Sequence, residues 1–129
     1  MPGEVLVVDD EPALCELLTQ VLTEEGYPSR GFTSASACLR TMEAGLRPAV
    51  ILVDLRMAEM PGREFVSRVR AMGGQDPPQI YVVSGSMAEH DYPPDTAIQG
   101  VVRKPFDLRH ILRIVAKAGA AAPARPRVS

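Results

Sequence analysis

Four places in this chain carry side chains suited to chemistry, and each ends a run that reads as a strand. Asp9 and Asp10 follow Val5-Leu6-Val7-Val8, Asp54 follows Ala49-Val50-Ile51-Leu52-Val53, Ser84 follows Ile80 to Val83, and Lys104 follows Gly100 to Arg103. A short apolar run rich in β-branched residues reads as a strand buried on both faces, as in the middle of a parallel sheet. In open α/β sheets, ligand chemistry collects at the carboxyl ends of such strands. Carboxylates gathered there, at Asp9, Asp10 and Asp54, repel one another and lose hydration, so they require a cation. The residue types therefore point to an oxygen-lined cation site with a hydroxyl and an ammonium at its margin.

Each feature alone has a plainer explanation. Asp9-Asp10 suits the first turn of a helix, where negative charge is favoured, and Asp54 suits a turn. Lys104 and Ser84 alone would be a solvated amine and a turn hydroxyl. The weight lies in their occurrence together, each at a strand end. His90 and His110 have no second ligand beside them and read as surface residues, while Met57 and Met60 read as loop packing.

The elements that must position these groups alternate strand and helix. After the first strand, about residues 4–8, Pro12 suits a first helical turn, where its missing N–H is not needed. Leu14, Leu17, Leu18, Val21 and Leu22 form the apolar stripe of that helix, and Gly26 ends it. Residues 27–32 form a weak strand placed at an edge, since Pro28 removes a donor. Thr33 or Ser34 caps a second helix with Leu39 and Met42 inward and Gly45 as its stop. The central strand ends at Asp54, and a loop leads to a third helix, about residues 63–72, burying Phe65, Val66, Val69 and Met72. A fourth strand spans about residues 80–83 and a fifth about 100–103. Asp107 caps a last helix carrying Leu108, Ile111, Leu112 and Val115 on one face. Between residues 87 and 99, Asp91-Tyr92-Pro93-Pro94-Asp95 breaks helical register, so a short or irregular fourth helix is expected. This pattern predicts an α/β fold: a doubly wound, five-stranded parallel sheet with right-handed crossovers.

Composition narrows the classes of function. The 129 residues suit one domain, with 46% hydrophobic and 23% charged residues as in globular proteins. A net charge of −2 gives no electrostatic footprint for nucleic acid or a membrane surface. No apolar run reaches membrane-spanning length, and no leader pattern precedes the first strand. Cys15 and Cys38 lack metal-ligand spacing and read as buried free thiols, which suits a reducing cytoplasm. The expected division is a domain over residues 1–118 and a flexible tail or linker over 119–129, where Ala, Pro and Arg leave little to bury.

Together, Val7-Val8-Asp9-Asp10-Glu11-Pro12, Ile51-Leu52-Val53-Asp54, Val82-Val83-Ser84-Gly85 and Arg103-Lys104-Pro105-Phe106 resemble the marks of the response regulator receiver domain, over residues 4–118. The resemblance implies the flavodoxin-like strand order 2-1-3-4-5. It also implies that Asp54 accepts a phosphoryl group from a sensor histidine kinase or phosphotransfer protein. Mg²⁺, with Mn²⁺ as an alternative, would be held by Asp10 and Asp54, by Asp9 directly or through water, and by the backbone carbonyl of Arg56. Lys104 would pair with Asp54 and then with the phosphoryl group, Ser84 would donate to another phosphoryl oxygen, and the Lys104–Pro105 bond would be cis. A downstream effector or fused output domain would read the change. Such a domain is a regulator and not a turnover enzyme, catalysing only its own phosphorylation and slow dephosphorylation.

The chain also departs from the family pattern. Met57-Ala58 replaces Met-Pro and Pro61-Gly62 replaces Asp-Gly, so a looser loop after Asp54 is expected, while Gly85 stands where Ala is common, which adds backbone freedom beside Ser84. Val101 occupies the switch position that usually holds Tyr or Phe, and it is too small to swing as an aromatic ring does. With the broken fourth helix, this leads to the expectation that phosphorylation reshapes residues 84–99. The resemblance also implies that Arg56 and Ser86 would flank the route of a hydrolytic water. The competing interpretation is a receiver-fold interaction module that works without phosphorylation. A haloacid-type phosphatase is disfavoured, since Arg56 stands where its second acid is needed.

Overall fold

A computed structural model describes residues 4–54, 57–74, 77–84, 100–104 and 106–118, without the side chain of Ser84. The strands are β1 (Val5–Val8), β2 (Ser29–Phe32), β3 (Val50–Asp54), β4 (Gln79–Ser84) and β5 (Gly100–Arg103). The helices are α1 (Pro12–Glu24), α2 (Ala35–Glu43), α3 (Gly62–Ala71) and α4 (Leu108–Lys117). All strand pairings are parallel and run in the order β2-β1-β3-β4-β5. This is the doubly wound sheet expected from the alternating pattern. The expected irregular helix within 87–99, the tail from 119, Gly85, Ser86, His90, Arg56 and the Lys104–Pro105 bond lie outside the described residues.

Strand alternation divides the core in two. On β1 and β3, Leu6, Val8, Ile51 and Val53 pack with Leu39 and Met42 of α2 and Phe65, Val66 and Val69 of α3. The alternate residues Val5, Val7, Val50 and Leu52 pack with Cys15, Leu18 and Leu22 of α1 and Ile111 and Val115 of α4. Every residue of β1 and β3 is buried, as a strand covered on both faces must be. The pattern on β2 is half-exposed, which fits its place at the edge.

Local signals set the helix ends. Pro12 occupies the first turn of α1, and Gly26, just beyond it, takes φ 94°, a left-handed stop that other residues adopt only with strain. Of the two candidates for the α2 cap, Ser34 is used: its Oγ accepts from the Ala37 amide. Asp107 caps α4 by accepting from the Arg109 amide. One assignment on α1 needs correction. Leu17 is 44% exposed, although spacing placed it in the buried stripe. The buried face centres on Cys15, Leu18 and Leu22, and at 3.6 residues per turn Leu17 falls beyond its edge. Cys15 and Cys38 are buried free thiols on opposite faces of the sheet, so they cannot pair with each other. Among the described residues no helix is long and apolar enough to cross a membrane.

Candidate metal centre

Register and parity bring the acids together. Val8 of β1 pairs with Val53 of β3, so the next positions, Asp9 and Asp54, leave the sheet side by side. Asp9 shares parity with Val5 and Val7, and Asp54 with Val50 and Leu52, which places both acids on the side of α1 and α4. Lys104 shares parity with Val102 of β5, which belongs to the same layer. The site forms where the chain leaves β1 in one direction and β3 in the other, the switch point at which α/β sheets open a crevice.

Carboxylate oxygens of Asp9, Asp10 and Asp54 all lie within 4.8 Å of one another. Asp9 and Asp54 are buried at 3% and 8% exposure, while Asp10 is exposed. At this separation each like-charged pair costs roughly 3–4 kcal/mol at an effective dielectric of about 20. Lys104 offsets part of this repulsion. Its Nζ donates to Asp9 Oδ2 at 3.2 Å and to Asp54 Oδ2 at 3.4 Å, and lies 4.0 Å from Glu11 Oε1. The expected pairing with Asp54 is thus present, and Asp9 shares it. Burial disfavours the Lys104 ammonium, yet Asp54 and Asp9 outweigh that cost, and its pKa stays above the ordinary lysine value.

Backbone amides hold the acids from the other side. Asp9 Oδ1 accepts from the Glu11 amide at 2.9 Å, and Asp10 Oδ2 accepts from the Ala58 amide at 3.1 Å. The segment carrying Ala58 is tied down at several points. Met57 and Met60 are each 7% exposed and pack in the layer with α2 and α3. The Glu59 carboxylate reaches α2, accepting from Ser34 Oγ at 3.0 Å and from the Ser36 amide at 3.2 Å. Pro61 starts α3 and accepts from the Glu64 and Phe65 amides. Buried methionines and a long-range cap supply what the missing proline does not.

The structure brings together Asp9, Asp10, Asp54 and Lys104, as sequence reasoning expected. Ser84 ends β4 one strand away, but its side chain lies outside the described residues, as does Arg56. Val101 pairs with Val82 and lies partly buried against the layer of α2 and α3, opposite to Lys104. Sequence reasoning missed Glu59 and the Ala58 amide. Their partners lie 23 to 48 residues away, a separation that no local spacing encodes. His110 is exposed on α4, as expected. The donor set fits a hard divalent cation. It is all oxygen, and three carboxylates against one ammonium leave an unbalanced negative charge that a divalent ion matches.

The fold is an α/β sheet with an acidic crevice at its switch point, faced by a lysine just beyond β5. A family model described as the response regulator receiver domain matches residues 5–116, and the chain belongs to that family. The DNA-binding transcriptional regulator NtrC of Proteus hauseri is 29% identical over 119 residues, covering 90% of this chain and 24% of that protein. The DNA-binding response regulator MtrA of Mycolicibacterium smegmatis is 38% identical over 74 residues, covering 57% of this chain and 32% of its own length. The chain thus spans a third or less of these relatives. Among solved structures, a CheY-like receiver domain from Methanospirillum hungatei superposes with a TM-score of 0.82 at 20% identity, covering 91% of this chain and 93% of that one. The response regulator TrrA of Thermotoga maritima, in complex with Mg²⁺-BeF, superposes with a TM-score of 0.73 at 27% identity, covering 90% and 98%.

Proposed function

We propose that this domain accepts a phosphoryl group on Asp54 with the help of Mg²⁺ and thereby switches its interactions with other proteins. The observation that carries this reading is the Lys104 ammonium bridging Asp9 and Asp54 beside Asp10. A carboxylate is already ionised at neutral pH, so Asp54 needs no general base to attack phosphorus. In the step, an Asp54 oxygen forms a bond to phosphorus while the donor's phosphorus–nitrogen bond breaks. The electron pair leaves on the donor imidazole nitrogen, which takes a proton from water. The donor is a phosphohistidine, presented by a histidine kinase or a phosphotransfer protein.

Asp9, Asp10 and Asp54 would hold the cation, with the Arg56 carbonyl as a further oxygen. When bound, Mg²⁺ supplies charge neutralisation to an anion approaching an anion. Lys104 would move from Asp54 to a phosphoryl oxygen while keeping its bond to Asp9, and Ser84 would donate to another. A regulatory role fits the family, and the two buried thiols fit a reducing cytoplasm. An effector or a fused output domain would read the new state. The division into a domain over 1–118 and a linker over 119–129 belongs to this proposal.

The test is incubation with acetyl phosphate and Mg²⁺, followed by intact-mass measurement. A gain of one phosphoryl group that Asp54→Asn or chelation abolishes supports the proposal. No gain at millimolar Mg²⁺ overturns it in favour of an interaction module that works without phosphorylation.

A further inference from the structure

We propose that Glu59 is a positioning residue for the cation site, clamping the segment that fixes the Asp10 carboxylate; this rests on the cation-dependent reading above. Glu59 is exposed, and it joins two parts of the fold. Its Oε1 accepts from Ser34 Oγ at 3.0 Å and from the Ser36 amide at 3.2 Å, and its Oε2 lies 3.3 Å from Ser34 Oγ. Ser34 Oγ accepts at the same time from the Ala37 amide at 3.1 Å. The Ser34 hydroxyl therefore relays, capping α2 on one side and donating to Glu59 on the other. The amides in the first turn of α2 have no partner within the helix, so an acceptor oxygen from outside is favoured there. Donation from Ser36 lowers the Glu59 pKa below the ordinary carboxylate value, consistent with an anion held in place.

The consequence lies one residue back. The Ala58 amide donates to Asp10 Oδ2 at 3.1 Å. Asp10 is exposed, so packing does not set its rotamer and hydrogen bonds must. Met57 and Met60 hold the segment to the core, and Glu59 holds it to α2. The amide that orients Asp10 lies between these anchors. With Glu59 cut back, the segment loses its hold on α2, and the Asp10 carboxylate must be ordered when the cation arrives. Groups that orient a metal ligand from behind typically change affinity by about 10- to 100-fold when removed.

The test titrates Mg²⁺ by calorimetry into the wild type, Glu59→Ala, Glu59→Gln and Asp107→Ala. Glu59→Ala is expected to weaken Mg²⁺ binding by about tenfold, the lower end of that range. Glu59→Gln keeps the acceptor oxygen but not the charge, and stays close to the wild type if the clamp matters. Asp107→Ala removes the cap of α4, lowers Tm and leaves Mg²⁺ affinity unchanged. Wild-type affinity in Glu59→Ala overturns the inference. So does equal weakening in Glu59→Gln, which would mean a charge effect, or in Asp107→Ala, which would mean general destabilisation. A wild type that binds Mg²⁺ but gains no phosphoryl group overturns the proposed function and leaves the clamp to be judged by Glu59→Ala. A wild type that binds no Mg²⁺ overturns both.

Discussion

Lys104 is the residue on which the electrostatics of the site turn. Its side chain is 23% exposed, and its ammonium lies within 3.4 Å of both buried acids. Replacing it with Met removes the ammonium that both buried acids share. Lys104→Met is expected to lower stability by roughly 1–2 kcal/mol in chelator, reduced from the cost of a fully buried pair because water reaches the amine. Millimolar Mg²⁺ should restore part of that loss, since a ligand that binds only the folded state stabilises it. Thermal unfolding with and without Mg²⁺ checks this, and an equal loss in both would contradict it. Cys38 gives a separate prediction. Burial pushes its thiol from 9.0 up to about 12. Above pH 9 unfolding therefore releases a proton that the folded chain retains, so stability falls as pH rises from about 9 to about 12. Urea midpoints across this range should fall less steeply in Cys38→Ala than in the wild type.

At the scale of elements, what was legible in the sequence was local. Pro12, Gly26, Ser34 and Asp107 act on their own helices through missing donors, left-handed backbone or side-chain caps, and all are used as their residue types suggest. The burial of β1 and β3 was legible because no polar residue interrupts either run. Leu17 was misplaced because Cys15, a small apolar residue, shifts the buried face of α1. The anchors of the segment after Asp54 were not legible because they are distant in sequence: Glu59 meets Ser34 across 25 residues and Ala58 meets Asp10 across 48. The packing of α1 against β2 yields a prediction of its own. A Cβ at Gly31 would lie 2.5 Å from Cys15 Sγ. Gly31→Ala is expected to destabilise by about 1–3 kcal/mol, the usual range for an overpacked contact. The double variant with Cys15→Ala should recover much of that loss in a double-mutant cycle, and simple additivity would contradict the contact.

For the whole molecule, the order β2-β1-β3-β4-β5 converts strand endings far apart in sequence into neighbours. Lys104 meets Asp9 across 95 residues and Asp54 across 50. Their convergence was legible only because each group ends a strand and parallel strands share one carboxyl edge. That Lys104 bonds Asp9 as well as Asp54 was not legible, since it depends on strand parity and register. The chain spans a third or less of the length of NtrC and MtrA. Asp54, not its two acidic neighbours, is proposed to receive the phosphoryl group. Borohydride reduction after reaction with acetyl phosphate and Mg²⁺ converts an aspartyl phosphate to homoserine, which peptide mass mapping locates. Homoserine is expected at position 54; homoserine at position 9 or 10, or at none, would rule out Asp54 as the acceptor.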